Sequence, residues 1–417
     1  MKKLHSCTTK SKIAGLFKIS ENKEGIDMKI KIKNGKIITP DSVLEGYAAG
    51  IADGRIESIK KENEMPDSYF DKIVDAGRDY ISPGFIDIHN HGNSGHDVME
   101  GTYEALNSMA SFHISNGITS FLATTMTDSI PKTKKVIKTV SEYIKNQYED
   151  RKCEKAEVLG LYLEGPYFSM AKKGAQPGEY IKLPDIKELD EFINISNNKV
   201  KIVSMAPELE GVLNAVDFLK NRGITVSAGH SDAKFDEMNA AIEHGVTEAT
   251  HIYNGMRSFN HREPGIIGAA LTDKRVNCEM ICDGIHIHPA AMKMVYMMKG
   301  KDGLILISDA MMAAGLQDGK YKLGVQNVYV KNGEARLEDG TLAGSTLTLN
   351  KAVYNMVHLV GVPLVAAVKM ASLNPAEAAG CEDRKGSIAE GKDADIIIFD
   401  KNIKIKMVIK AGKIVNI

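Results

Sequence analysis

Hydrophobic positions alternate with polar ones at both ends of the chain and run in short continuous blocks through its middle. From Met28 to Lys33 apolar and basic residues alternate with the period of two that a half-buried strand requires, and Asn34-Gly35-Lys36 reads as a hairpin turn into Ile37-Ile38. Asp53-Gly54 predicts a second hairpin between residues 48–52 and 55–59. The far end has the same alternation, over residues 394–400, then 403–409, a turn at Ala411-Gly412-Lys413, and Ile414-Val415. Neither end carries a long helical pattern, so both are expected to meet in one small β domain.

In the middle, eight apolar blocks read as strands, at residues 85–91, 119–124, 158–164, 201–205, 225–230, 249–253, 278–283 and 304–309. Short apolar runs bounded by turn residues fit strands buried on both faces. Helical periodicity separates most of them, best at 132–148, 208–221, 236–244 and 289–298. Repeated βα units imply a parallel sheet, and eight of them imply a closed (β/α)8 barrel of the TIM type. The competitor is an open doubly wound sheet, but no GxGxxG follows the first strand. Residues 321–345 interrupt the last unit with a hairpin expected near the barrel mouth, and helices at 349–359 and 363–372 close the barrel. The expected division is a flexible N-terminal extension over 1–27, a β-sandwich from 28–80 with 380–417, and the (β/α)8 barrel over 81–379.

Composition narrows the partners. The 417 residues leave room for a large barrel and an accessory domain. A formal net charge of -1 gives no overall basic field, which argues against nucleic acid or anionic lipid and makes any anion site local. No apolar run is long enough to span a bilayer, so no membrane partner is expected. The five cysteines are scattered and odd in number, which fits a reduced, cytoplasmic setting. Cys278 and Cys282 read as small core residues. Residues 1–27 carry an apolar island too short for a signal peptide and read as a translated leader or tail.

In such barrels the chemistry sits at the C-terminal ends of the strands. Those ends give, in order, His89 and His91, Glu164, His230, His251 and Asp309. Along an extended strand His89 and His91 face the same way, together with Asp87. Each residue has an ordinary alternative: a hydrogen-bonded core histidine, a helix-capping Glu164, an N-cap at Asp309. Six at one rim are harder to dismiss, because a charge buried after an apolar strand is costly unless paired or metal-bound. Nitrogen and oxygen donors without thiolates suit zinc or iron better than magnesium. Six exceed the needs of one catalytic zinc, and two ions bridged by a carboxylate would use them all.

A second set lies close by in sequence. Asn254-Gly255 follows the His251 block, Arg262-Glu263-Pro264-Gly265 comes soon after with His261 beside it, and His286 ends another block. Asn254, the Gly255 amide and the Arg262 fork can grip an anion, with a solvated loop as the alternative. His288 reads as the cap of a helix opening at Pro289.

The stretches Pro83-Gly84-Phe85-Ile86-Asp87, Leu163-Glu164-Gly165-Pro166-Tyr167, Lys172-Lys173-Gly174-Ala175, Ala228-Gly229-His230-Ser231, Thr250-His251-Ile252-Tyr253-Asn254-Gly255-Met256, Arg262-Glu263-Pro264-Gly265, Asp283-Gly284-Ile285-His286, Leu342-Ala343-Gly344-Ser345 and Gly391-Lys392-Asp393-Ala394-Asp395 carry a resemblance. In this order, over nearly all of residues 28–417, the chain resembles the N-acetylglucosamine-6-phosphate deacetylases of the amidohydrolase superfamily. The resemblance implies hydrolysis of the acetamide of N-acetyl-D-glucosamine 6-phosphate to glucosamine 6-phosphate and acetate, in amino-sugar catabolism and cell-wall recycling. It implies Glu164, His230 and His251 as central metal ligands, and His89 and His91 as the additional ligands of members with two metals, zinc or iron. It implies Asp309 as general base and acid acting with a metal-bound hydroxide. Sugar-phosphate contacts implied are Ala175, Gln176, Asn254, Gly255, Arg262, His286, Leu342, Ala343 and Gly344, and some members carry histidine where Gln176 stands. A homodimer is implied as well. The rivals are other amidohydrolases of dihydroorotase or D-aminoacylase type, the epimeric N-acetylgalactosamine 6-phosphate as substrate, and a non-catalytic barrel.

Overall fold

The structure, a computed structural model, describes residues 28–147 and 154–417; the extension expected over 1–27 lies outside them. The apolar blocks of the middle form eight parallel strands: β1 Phe85–Asp87, β2 Ile118–Thr125, β3 Glu157–Glu164, β4 Val200–Met205, β5 Thr225–Ala228, β6 Val246–Ala249, β7 Asn277–Ile281 and β8 Leu304–Ile307. They pair in chain order, and every residue of β2 and β3 is buried, as strands covered on both faces must be. Beyond the strand ends, Asn90 bridges Ala310 and the Asp309 amide donates to the His89 carbonyl at 2.9 Å. These bonds join the first and last strands at the rim, so the sheet is a (β/α)8 barrel.

Helices α1 Tyr103–Ser115, α2 Ile130–Gln147, α3 Ile186–Ile195, α4 Val212–Lys220, α5 Phe235–His244, α6 Gly265–Thr272, α7 Pro289–Lys299 and α8 Leu349–Asn355 alternate with the strands. Side chains satisfy several of their first amides: Thr102 accepts from Ala105, Asp185 from Lys187, and His288 Nδ1 from Ala290 at 3.2 Å. The helix expected over 349–359 is α-helical only to Asn355 and continues as a π turn, Met356–Val360.

Two expectations need correction. The sixth strand is Val246–Ala249, and residues 250–253 are turn rather than strand. His251 and Tyr253 have φ of 29° and 76°, left-handed values that no strand accommodates. The apolar look of His251-Ile252-Tyr253 came from a buried turn. Asn34-Gly35 is not a hairpin either. Ile30–Lys33 pairs with Tyr47–Ala52 and Lys72–Asp75, whereas Lys36–Ile38 pairs with Val43–Glu45 and Tyr80–Pro83 in another sheet. The chain turns a corner between sheets there. Gly35 permits it, because a Cβ at this position would stand 2.6 Å from Ile81 Cδ1.

Those two sheets form the β-sandwich. One runs Arg55–Lys61, Tyr47–Ala52, Ile30–Lys33, Lys72–Asp75; the other runs Lys413–Val415, Ile405–Lys410, Ile396–Phe399, Tyr80–Pro83, Lys36–Ile38, Val43–Glu45. Ser82 stands opposite Ile397, so the two chain ends share a sheet. Between the sheets lie Ile32, Ile37, Ile51, Ile81, Ile396 and Ile409, all fully buried. A buried ion network ties the sandwich to the barrel floor. Lys385 Nζ lies 2.8 Å from Glu157 of β3 and 3.1 Å from Asp393, and Lys410 lies 2.8 Å from Asp395 and 3.2 Å from Glu157. Arg384 also contacts Glu157 and Asp393.

The interrupting segment folds as a three-stranded antiparallel sheet, Gly319–Leu323, Gln326–Lys331 and Glu334–Arg336. It stands at the barrel mouth: the Gly324 amide donates to Asp97 at 3.0 Å, and Ser345, just after it, donates its amide to the Asp309 carbonyl at 2.7 Å.

Candidate active site

The polar residues at the rim stand at one level. Glu164 ends β3, and His89, His230, His251 and Asp309 each stand two residues past the last residue of β1, β5, β6 and β8. Three of them turn sharply there: φ is 46° at His230, 29° at His251 and 47° at Asp309. Non-glycine residues seldom adopt such backbone, and when they do the surroundings hold them in place. Each turn swings a side chain inward over the barrel axis.

Glu164 lies at the centre. Its Oε1 is 3.1 Å from His251 Nε2, 3.2 Å from His230 Nε2 and 3.4 Å from His89 Nε2, and its Oε2 is 3.3 Å from His91 Nε2. Asp309 Oδ1 lies 3.4 Å from His91 Nε2 and 3.7 Å from His89 Nε2. The ligand atoms therefore fall into two groups, Glu164 with His230 and His251, and Asp309 with His89 and His91.

The outer ring nitrogens show how the imidazoles are protonated. His230 Nδ1 donates to the Lys172 carbonyl at 3.0 Å, His251 Nδ1 to the Asn254 carbonyl at 3.1 Å, and His89 Nδ1 to the Glu279 carboxylate at 2.9 Å. Carbonyls and carboxylates only accept, so each of these Nδ1 atoms carries a proton and each Nε2 is turned inward. Among the described residues His89 Nε2 is buried with no well-aligned hydrogen bond, only the 3.4 Å approach to Glu164. Imidazole Nε2 atoms converging on a carboxylate form a donor set that fits a divalent cation.

Electrostatics agree with that reading. Burial alone would drive the imidazoles neutral, yet nearby carboxylates win. Glu279 and Glu164 raise His89 well above its ordinary value, Asp309 and Glu164 raise His91 to about 9, and Glu164 raises His251. Glu164 is itself held well below the usual carboxylate range, with the imidazoles outweighing its burial. The cluster attracts positive charge.

The other candidates divide. Gln176 is buried beside the cluster; its amide donates to Glu164 Oε2 at 2.5 Å and accepts from the Thr127 amide at 2.9 Å. Ala175 precedes it in the same buried turn. Asn254 supports His251 through its carbonyl, and Gly255 (φ 58°) packs so close to His230 that a Cβ would lie 2.9 Å from Nδ1. Leu342, Ala343 and Gly344 lead into Ser345 against Asp309; Ala343 donates its amide to Ala335 and Leu342 bridges Arg336. Arg262 and His286 make no hydrogen bond or ion pair with the cluster residues. Arg262 is exposed, and its guanidinium has no hydrogen bond or ion pair among the described residues, whereas nearby Arg257 is held by Asp232. His286 is fastened by Nδ1 to Asp283 at 2.6 Å. Asp87 also stands apart from the cluster. It accepts from the Ser308 hydroxyl at 2.5 Å and locks β1 to β8, and burial raises its pKa to about 6.

Sequence reasoning passed over Glu279. It sits between Cys278 and Met280 in a block read as apolar core, fully buried in β7. The signal was a carboxylate inside a block otherwise fit only for burial. Glu248 of β6 is equally buried; burial first, then the charge of Glu279, push its carboxyl well above the usual range. Below the cluster, the Thr250 hydroxyl gathers those of Tyr162, Ser204 and Ser227 at 3.1, 2.8 and 2.7 Å.

Comparison with known proteins gives a consistent picture. The amidohydrolase family profile matches residues 80–415. An N-acetylglucosamine-6-phosphate deacetylase from Lysinibacillus sphaericus is 39% identical, covering 92% of this chain and 97% of the relative. An N-acetylgalactosamine-6-phosphate deacetylase from Escherichia coli is 37% identical over 91% of this chain and 98% of its own length. Among solved structures, the N-acetylglucosamine-6-phosphate deacetylase of Thermotoga maritima aligns with a TM-score of 0.83 at 37% identity, over 93% of this chain and 99% of that one. A mutant of the Mycobacterium smegmatis enzyme in complex with N-acetyl-D-glucosamine-6-phosphate aligns with a TM-score of 0.86 at 30% identity, over 94% of this chain and 100% of that one.

Proposed function

The chain belongs to the amidohydrolase family, and we propose that it hydrolyses the acetamide of N-acetyl-D-glucosamine 6-phosphate with the help of one or two divalent cations. The observation that carries this reading is the convergence of four imidazoles on Glu164, with the Nδ1 protons of His89, His230 and His251 held on outward-facing acceptors. Glu164, His230 and His251 would hold one ion, and His89, His91 and Asp309 a second, with Glu164 between them. Such an ion supplies water activation near neutral pH and polarisation of the amide carbonyl.

The remaining roles fall to the chain itself. Asp309 is the proton carrier: burial would raise its carboxyl, but His91, His89 and His251 outweigh burial and keep it ionised at neutral pH, ready to accept a proton. It takes the proton of the attacking water and returns it to the departing amine. Its backbone is pinned by bonds to His89 and Ser345, so the carboxylate does not swing away between the two transfers. Arg262, whose guanidinium has no partner among the described residues, and His286, with Nδ1 fastened, are suited to grip the phosphate with Asn254 and the Gly255 amide. Binding energy gathered at the phosphate then orients the distant acetamide. Ala175, Gln176 and the Leu342–Gly344 turn would border the sugar.

The N-acetylgalactosamine-6-phosphate deacetylase among the relatives supports the 4-epimer as a second reading. An acetate-release assay on both epimers, with metal content measured on the same sample, tests the two. Faster release from the gluco epimer by metal-loaded enzyme supports the proposal. Release from neither, or full activity in metal-stripped enzyme, refutes it.

A further inference from the structure

We propose that Glu279 is a positioning residue of this centre: from β7 it aims the His89 imidazole and fixes the His251 turn toward a divalent cation. The inference rests on the metal-dependent reading above. Glu279 Oε2 accepts from His89 Nδ1 at 2.9 Å and from the main-chain amide of His251 at 3.3 Å. One oxygen thus joins a side chain carried beyond β1 to the backbone beyond β6, two ligand positions 162 residues apart in the chain, taken as 251 less 89. Both partners need holding. His89 is fully buried, and among the described residues no well-aligned hydrogen bond at Nε2 fixes the ring against a flip that would exchange its two nitrogens; the bond to Nδ1 prevents it. His251 has the strained φ of 29°, and its amide adds the Glu279 carboxylate to the main-chain bonds that hold that turn.

The choice of acceptor separates His89 from its neighbours. His230 and His251 give their Nδ1 protons to main-chain carbonyls, whereas His89 gives its proton to a carboxylate. A carboxylate is the stronger acceptor and makes the opposite ring nitrogen a better donor to a cation. Glu279 makes no hydrogen bond to Glu164 or Asp309, so its action runs through the two histidines.

The test titrates metal-stripped wild type, Glu279→Gln, Glu279→Ala and Glu248→Gln with Zn²⁺ against a chromophoric chelator, with folding followed by circular dichroism. Glu279→Gln keeps the size and one acceptor oxygen, and is expected to bind zinc about 10–100-fold more weakly. Glu279→Ala should be weaker still. At saturating zinc, kcat for the sugar phosphate should fall in both while KM holds. Glu248→Gln changes the neighbouring buried carboxyl without touching His89 and should bind zinc like wild type. Equal zinc affinity in all four proteins overturns the proposal, as does an equal loss in Glu248→Gln. If Glu279→Ala does not fold, Glu279→Gln decides; collapse of both while Glu248→Gln folds assigns Glu279 to barrel assembly alone and overturns the proposal. A wild type with no zinc affinity would instead defeat the metal-dependent reading itself.

Discussion

His230 Nε2 stands 3.1 Å from His251 Nε2, with both Nδ1 protons committed to main-chain carbonyls. Two lone pairs do not face each other at that distance unless a positive charge lies between or beside them. In the metal-free protein a proton on His251, which Glu164 favours, can supply that charge, and on the proposed reading a cation would replace it.

Metal loading should therefore release protons. Burial would lower His89, His91 and His251, but the carboxylates around them raise all three, so the metal-free centre holds extra protons at pH 7. Calorimetric titration with Zn²⁺ in two buffers of different ionisation enthalpy should give unequal heats. Identical heats would mean the imidazoles are already bare.

The same shifts set a stability window for the metal-free protein. His91 rises from 6.5 to about 9 on folding, so its contribution is complete below about pH 6.5 and disappears as pH climbs through about 9. The melting temperature of stripped enzyme should drop across that interval relative to zinc-loaded enzyme. A constant gap between the two would contradict the assignment.

Asp309→Asn should lower kcat by roughly 10²–10⁴ through loss of the proton carrier. The group formed by Glu164, His230 and His251 is untouched and should keep its metal. Metal analysis and turnover on one preparation check both halves; near-normal turnover would remove Asp309 from the chemistry.

Arg262→Ala should act on the phosphate alone. Losing one charge-assisted bond costs about 1.5–3 kcal/mol, which is roughly a 10–150-fold rise in KM for the phosphorylated sugar. Unphosphorylated N-acetylglucosamine should be hydrolysed as by wild type. Equal damage on both substrates would place Arg262 elsewhere.

Lys385→Met should destabilise the fold by about 3–5 kcal/mol, since it removes a partner from the buried carboxylates of Glu157 and Asp395 and from the half-buried Asp393. Denaturant unfolding measures the loss, and activity at low temperature should survive. An unchanged unfolding midpoint would show that Lys410 and Arg384 suffice.

The barrel was legible because parallel strands buried on both faces are largely apolar, and most blocks stopped at a polar residue. The same stops carried Glu164, His230 and Asp309 to the rim. The features that escaped share one cause: side chains that read as one class locally serve another in space. Glu279 was hidden by the apolar run around it, the Thr250–Tyr253 turn resembled a strand because it is buried, and Asn34-Gly35 carries the letters of a hairpin although the chain changes sheets there. Charged networks such as Lys385 with Glu157 join residues more than two hundred positions apart and leave no local trace.

The antiparallel pairing of Ser82 with Ile397 has a consequence for synthesis. At about 5–20 residues per second, a ribosome takes on the order of 15–60 seconds to deliver the second partner after the first has emerged. Throughout that interval the Tyr80–Pro83 strand has one hydrogen-bonding edge exposed beside an unfinished barrel. The nascent chain thus passes through a stage at which a chaperone, or a neighbouring nascent chain, can occupy the place that its own tail is meant to fill.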